Sequence, residues 1–133
     1  MSTSPRDVVT EFLRRAGTGE PVSKIAELVS ESVDWYVAGD TDTVPWIGRK
    51  IGKAGAAEFY SQIREYIGSE AFIVQDILAQ GQRVVVLGEL ASRVLRTGKL
   101  IESEFCFDFT VEHGEITRFR MFEDSFAVAQ AAK

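Results

Sequence analysis

Asp108 lies within an aromatic run, Phe105-Cys106-Phe107-Asp108-Phe109, and is the residue of this chain best placed by type and surroundings to move a proton. A carboxyl kept from water has its charged form disfavoured and its pKa raised, which makes a proton donor that works near neutral pH. The competing reading is a carboxylate at a strand edge, or one paired with Arg118 or Arg120, because structural ion pairs perturb acids too. Glu123 and Asp124 form a second acidic pair. Neighbours on a strand point to opposite faces, so one of them can face inward while the other caps a following helix together with Ser125. Cys106, between phenylalanines and with no base nearby in sequence, reads as a small buried hydrophobe rather than a nucleophile. His113 occupies a turn, where polar residues are common. Tyr36 and Tyr60 carry hydroxyls that need a hydrogen-bond partner when buried, which a ligand could supply. Trp35, Trp46, Phe59, Tyr60 and Met121 could line a pocket, although aromatic stripes also build ordinary cores.

These residues must be held by helices first and strands afterwards. Ser4-Pro5-Arg6-Asp7 predicts a helix start, with Ser4 as cap and Pro5 at the first helical position. Val8, Val9, Phe12, Leu13 and Ala16 then share a face, and Gly17 can end the helix in a left-handed cap. A shorter helix is expected from Pro21, burying Ile25, Leu28 and Val29. Residues 32–38 read as a strand and 39–52 as a loop, in which Trp46 needs somewhere to bury its ring. Residues 53–67 form the longest predicted helix, with Ala56, Phe59, Tyr60, Ile63 and Ile67 on one stripe. From Ala71 the period switches to two, and turns at Gly81-Gln82, Thr97-Gly98 and His113-Gly114 set off strands near 71–80, 83–95, 99–112 and 115–124. Residues 127–133 read as a short helix or a frayed tail. The pattern predicts an α+β fold, a cone-shaped barrel with N-terminal helices packed on a curved antiparallel sheet.

A two-residue turn at His113-Gly114 places Glu112 opposite Glu115, Asp108 opposite Phe119, Cys106 opposite Met121 and Glu104 opposite Glu123. In that register Asp108 faces the cavity, while Phe105, Phe107, Phe109, Val111, Ile116 and Phe122 lie on the other face and could bury against a second copy. A β-bulge would exchange the two faces beyond it.

Length and composition narrow the function classes. With 133 residues the chain fits one domain, 1–133. A net charge of −5 with scattered Lys and Arg disfavours nucleic acid, whose binding needs clustered cations. One histidine and one cysteine cannot supply the usual zinc sets, so no metal is expected. No apolar run suits a membrane span, there is no apolar leader, and the lone cysteine suits a reducing compartment. A cytoplasmic location is therefore expected.

The order helix, helix, strand, loop, helix, four strands, together with three segments, resembles the SnoaL-like, ketosteroid isomerase-like branch of the nuclear transport factor 2-like superfamily. The segments are Val33-Asp34-Trp35; Val44-Pro45-Trp46-Ile47-Gly48-Arg49 leading into Gly52-Lys53-Ala54-Gly55 and Phe59; and Gly114 to Arg120 with Glu123-Asp124. The resemblance implies a conical barrel with a deep apolar cavity, homodimers through the sheet, and a cofactor-independent isomerase or cyclase acting on a hydrophobic carbonyl compound. The alternative is a non-catalytic binding protein for a small hydrophobic ligand. Asp108 matches the oxyanion-stabilising acid of ketosteroid isomerase, whose oxyanion tyrosine is matched by Phe12 and whose general base falls near Tyr36. The triad of limonene epoxide hydrolase is not reproduced, its positions being taken by Met121, Leu90 and Ser92. On this reading Asp108 is the acid, assisted by Tyr36 or Glu123. Phe12, Trp35, Trp46, Phe59, Tyr60, Cys106, Phe119 and Met121 line the pocket.

Overall fold

A computed structural model describes residues 4–133. The first helix, α1 (Pro5–Gly17), begins as the sequence dictates: the Ser4 side chain accepts from the Asp7 N–H at 3.2 Å and Pro5 takes the first turn. It buries Val8, Val9 and Phe12. Its end differs from expectation, because Thr18 is the cap and the left-handed residue is Gly19 (φ 74°), not Gly17. A single-turn helix, α2 (Val22–Ala26), follows, and Val29, expected in that helix, instead opens strand β1 (Val29–Val37).

A short strand, β2 (Gly48–Ile51), lies inside the expected loop and runs directly into α3 (Gly52–Tyr66). The long strands are β3 (Ile67–Gln80), β4 (Arg83–Val94), β5 (Leu100–Glu112) and β6 (Glu115–Phe122). Helix α4 (Ser125–Ala132) closes the chain, with the Asp124 carboxylate accepting from the Ala127 N–H at 3.0 Å. The sheet order is β2-β1-β6-β5-β4-β3, antiparallel except for the parallel β1–β6 pair. The α+β class and the helix-covered curved sheet expected from sequence are both observed. The sheet is unclosed. Among the described residues no helix is long and apolar enough to cross a membrane.

Irregularities bend this sheet. On β3 the register shifts between Ser69 and Ala71 and again between Val74 and Asp76. Each extra residue locally raises the twist and curls the strand. Gly88 on β4 is required by close approach: a Cβ there would lie 2.7 Å from the Phe105 ring and against the Ile73 carbonyl. Its bare surface lets the Phe105 ring sit against the strand, stacked on Phe72 at 4.8 Å.

A third irregularity decides which residues face inward. Glu112 pairs with Glu115 as expected, and Val111 pairs with Ile116, but Thr110 then pairs with Arg118. Thr117 is therefore an extra residue on β6. Its hydroxyl donates to Glu112 Oε1 at 3.0 Å and lies 3.4 Å from the Thr110 carbonyl. Beyond this bulge the register is one residue off expectation: Asp108 pairs with Arg120, Phe109 with Phe119, Phe107 with Met121 and Cys106 with Phe122. Phe119, Met121 and Glu123 keep their expected inward direction and Phe122 its outward one, but the faces of β5 are exchanged relative to expectation, because side chains alternate with period two.

The inner face accordingly carries Trp35, Phe119, Phe109 and Val84 side by side, at most 1% exposed. Next to them runs the row Val37, Met121, Phe107 and Val86. Phe105, Phe107, Phe109, Val111 and Ile116 are core, contrary to the expectation that they form an outward surface; of that set only Phe122 is exposed, at 55%. Phe12 from α1 and Phe59 and Tyr60 from α3 close on this face through ring contacts to Trp35, at centroid distances of 6.1, 5.4 and 6.3 Å.

Candidate functional site

A hollow of about 430 Å³ remains between the helices and the inner face. Its walls are mostly apolar. Leu13 and Ala16 come from α1, Phe59, Tyr60 and Ile63 from α3, and Val37, Met121, Phe107, Leu90 and Ile101 from the sheet. Trp46 and Ile47, from the loop before β2, complete one side and Val128 of α4 another. Trp46 resolves the question its polar loop posed: it is 3% exposed and stacks on Tyr66 at 5.9 Å. The hollow survives because the bulges curl the sheet away from α1 and α3, and large rings fill only the part around Trp35.

Few polar residues line this space: Tyr60, Arg64, Ser69, Ser92 and Glu123. Glu123 follows directly on β6, where the preceding Phe122 is exposed and the following Asp124 is occupied as the cap of α4. The adjacent acids thus split as period two requires, one inward and one capping. The Glu123 carboxyl has no hydrogen bond or ion pair among the described residues. Burial in apolar surroundings, with the nearby Asp124 charge adding to it, pushes it up to about 7. Burial likewise holds the Tyr60 phenol well above its usual range, only weakly opposed by the positive charge of Arg64. Tyr60 is therefore a neutral O–H donor at any physiological pH. Its hydroxyl has no hydrogen-bond partner among the described residues.

Asp108 does not line the cavity, and this corrects the first choice of acid. The one-residue offset at Thr117 turns it to the outer face, where Arg83 grips it through two N–H donors at 2.7 and 3.1 Å and Arg118 donates at 3.1 Å. Partial burial would raise its pKa, but these guanidinium hydrogen bonds outweigh burial and hold the carboxyl below the usual range. It is the ion-paired carboxylate of the competing reading, with Arg83 in place of Arg120. Tyr36 is also on the outer face. Its ring lies between the guanidinium groups of Arg49 and Arg120, 4.9 and 5.6 Å from the centroid, and Asp34 pairs with both arginines. Cys106 shares that face, and burial together with the Asp108 charge pushes its thiol up, away from the reactive thiolate.

Of the expected pocket residues, Trp46, Phe59, Tyr60, Met121 and Glu123 do line the cavity. Phe12, Trp35 and Phe119 are buried in the adjoining core instead. Trp35 stacks on Phe119 at 4.0 Å, and its indole N–H finds no acceptor among the described residues, a state that costs about 1–3 kcal/mol. Sequence reasoning missed Arg64, Ser69 and Ser92. For Arg64 a signal existed, because it lies four residues after Tyr60 and so on the same side of α3.

The comparisons with known proteins agree with this geometry. The SnoaL-like domain family matches residues 9–119. No curated protein matches the chain. Among solved structures, an NTF2-like protein from Burkholderia xenovorans LB400 is 27% identical over 100% of this chain and 99% of its own, with a TM-score of 0.88. TerC, co-crystallised with polyporic acid, is 23% identical over 97% of this chain and 98% of its own, TM-score 0.82. A protein of ketosteroid isomerase-like fold from Catenulispora acidiphila, in complex with trimethylamine, is 10% identical over 94% of this chain and 91% of its own, TM-score 0.75. With a curved sheet cupping an apolar hollow and a family match over most of its length, the chain belongs to the SnoaL-like domain family, in the NTF2-like and ketosteroid isomerase-like fold group.

Proposed function

We propose that this protein takes a small apolar carbonyl compound into the cone and moves a proton on it without a cofactor, as an isomerase or cyclase, with Glu123 as the acid-base group. The supporting observation is an unpaired carboxyl in an apolar cavity, with a pKa pushed up to about 7. Such a group exists in both protonation states near neutral pH, so it can accept a proton from carbon and return it elsewhere on the same molecule. In the reaction envisaged, the Glu123 carboxylate removes a proton next to the carbonyl. The C–H electron pair moves toward the carbonyl oxygen, which becomes an enolate, and the Tyr60 O–H donates a hydrogen bond to that oxygen. Where a C=C lies next to that position the enolate is a dienolate, and protonated Glu123 delivers its proton to the far carbon as the double bond shifts. Alternatively the enolate carbon attacks a second carbonyl to close a ring, and Glu123 returns its proton to the alkoxide so formed.

The test is deuterium exchange at C1 of 2-tetralone in D2O, followed by NMR. Exchange above the level given by heat-denatured protein, reduced at least about tenfold in Glu123→Gln, is the expected result. Exchange that is unchanged in Glu123→Gln sinks the assignment.

A second reading, a binding protein without turnover, is favoured by the composition of the lining. Among the described lining residues Glu123 is the one carboxyl, and none is histidine, lysine or cysteine. Two neighbours crystallised with small molecules, polyporic acid and trimethylamine, also support a holding role. No exchange by a protein that still binds apolar probes would favour this reading. In either case we propose a homodimer through the outer face of the sheet, where Leu78 and Phe122 are 56% and 55% exposed. Light scattering should give twice the chain mass, falling to the single-chain mass in Leu78→Glu.

A further inference from the structure

Arg64 differs from every other arginine in the described residues. Arg14, Arg15, Arg49, Arg83, Arg93, Arg118 and Arg120 pair with carboxylates, and Arg6 and Arg96 donate to the carbonyls of Ile77 and Ala132. Arg64 has neither an acidic partner nor a hydrogen-bonded carbonyl among those residues, and it lines the cavity while remaining exposed to solvent. In a chain of net charge −5, with acids outnumbering bases, an arginine left without a carboxylate stands apart.

Its position is built by α3. Tyr60 lies one turn earlier on the same side of the helix, and Ile63 between them also faces the hollow. The Arg64 charge opposes in part the upward push of burial on the Tyr60 phenol, whose hydroxyl has no acceptor among the described residues. Two neighbouring side chains therefore each hold N–H or O–H donors that no acceptor among the described residues takes up. A guanidinium has five N–H groups and no acceptor, and a phenol donates best to an oxygen richer in charge than water. Leu13, Phe72 and Leu90 supply the apolar surroundings. The complement to such a site is a hydrocarbon body carrying an anionic oxygen.

We infer that the cavity's ligand is an amphipathic organic anion, an apolar ring system or chain bearing a carboxylate, sulfonate or stabilised enolate that pairs with Arg64 and accepts from Tyr60. This rests on the reading that the cavity holds a small molecule. The Glu123 carboxyl does not oppose it strongly, since a group with a pKa of about 7 is substantially protonated at neutral pH. A guanidinium is better suited than an ammonium here, because its planar fork meets two oxygens of a carboxylate or sulfonate at once.

The test uses two fluorescent probes with one skeleton: 1-anilinonaphthalene-8-sulfonate, which is anionic, and N-phenyl-1-naphthylamine, which lacks the sulfonate. Both are titrated into the intact protein, each is displaced by the other to establish a shared site, and the titrations are repeated in Arg64→Met, Arg64→Lys and, as a distant control, Arg93→Met. The sulfonate probe should bind about fivefold tighter than the neutral one, the scale of a partly desolvated charge pair. Arg64→Met should remove that preference and leave neutral-probe affinity within about twofold, Arg64→Lys should retain part of it, and Arg93→Met should retain all of it. Equal affinities for the two probes in the wild type, or an unchanged preference in Arg64→Met, overturns the inference while leaving the cavity reading intact. Failure of both probes to bind overturns the cavity reading, and the inference with it.

Discussion

Two acids on neighbouring strands, Asp108 within β5 and Glu123 just past β6, show how the direction a side chain takes sorts carboxyls into different roles. Asp108 is on the outer face, held by Arg83 and Arg118 with its pKa depressed, and serves the fold as an anion. Glu123 is on the inner side with no counter-ion, its pKa elevated, and is free to change charge state. Both experience burial. What separates them is whether a guanidinium is within reach, and hydrogen bonds from two arginines reverse the direction in which burial alone would drive the pKa. Embedding an acid among aromatic residues is thus an insufficient sign of a proton donor, because the aromatic neighbours of Asp108 in sequence point to the other side of the strand.

The contrast between the faces can be broken most severely from the inside. Phe109 is fully buried and meets Phe12, Phe107 and Phe119 in edge or tilted contacts. Phe109→Ala should cost about 4 kcal/mol in urea unfolding. Leu95→Ala, 57% exposed just past β4, should cost well under half of that.

Next in size is Glu123. Its pKa is higher folded (about 7) than its ordinary value of 4.5, so the folded state holds the proton more tightly. The stability this brings is complete below about pH 4.5 and is lost as pH rises through about 7. Glu123→Gln should therefore gain stability over the wild type with increasing pH, on the order of 3 kcal/mol by pH 8 and close to nothing at pH 4. Urea unfolding of both proteins at pH 4, 6 and 8 checks this, and parallel curves would remove the difference drawn between the two acids.

Asp108→Asn should behave in the opposite sense. It abolishes two charge pairs on the outer face and should destabilise by about 1–2 kcal/mol near pH 7, an effect that fades as pH falls through the depressed pKa. Affinity for an apolar probe should not change, because the side chain does not reach the cavity. A change in probe affinity would mean that the faces are not separate. The smallest effect is expected for Arg49→Met. This arginine is 55% exposed beside Asp34, and its loss should cost less than about 1 kcal/mol by thermal unfolding.

Much of the architecture could be read from residues with strong local signals. The Ser4-Pro5 start of α1, the Phe59-Tyr60-Ile63 stripe of α3 and the three glycine turns of the meander each state their structure within a few positions. Strand β2 escaped because four residues carry too little periodicity, and Val29 was misplaced because its burial suits helix and strand equally. The decisive loss was Thr117. Nothing in Ile116-Thr117-Arg118 marks an extra residue, since threonine is an ordinary strand former, and the bulge is fixed by pairing with β5 rather than by local preference. One unread residue then inverted Asp108, Cys106 and the three phenylalanines of β5 together, while Phe119 and Phe122 kept their faces. Glu123 kept its inward position on other grounds, because Asp124-Ser125 had to start a helix and left its neighbour facing the other way.

That bulge also offers a lever on chemistry. Strand β6 presents Phe119 and Met121 inward, and Arg118 and Arg120 outward, solely because one unpaired threonine precedes them. Removing that residue would exchange the two sets in one step, carrying guanidinium groups into the hollow and aromatic rings out to water. Within this scaffold the length of a single hairpin arm therefore governs the chemical character of the interior, and a change of count there can do what many separate substitutions would otherwise be needed to achieve.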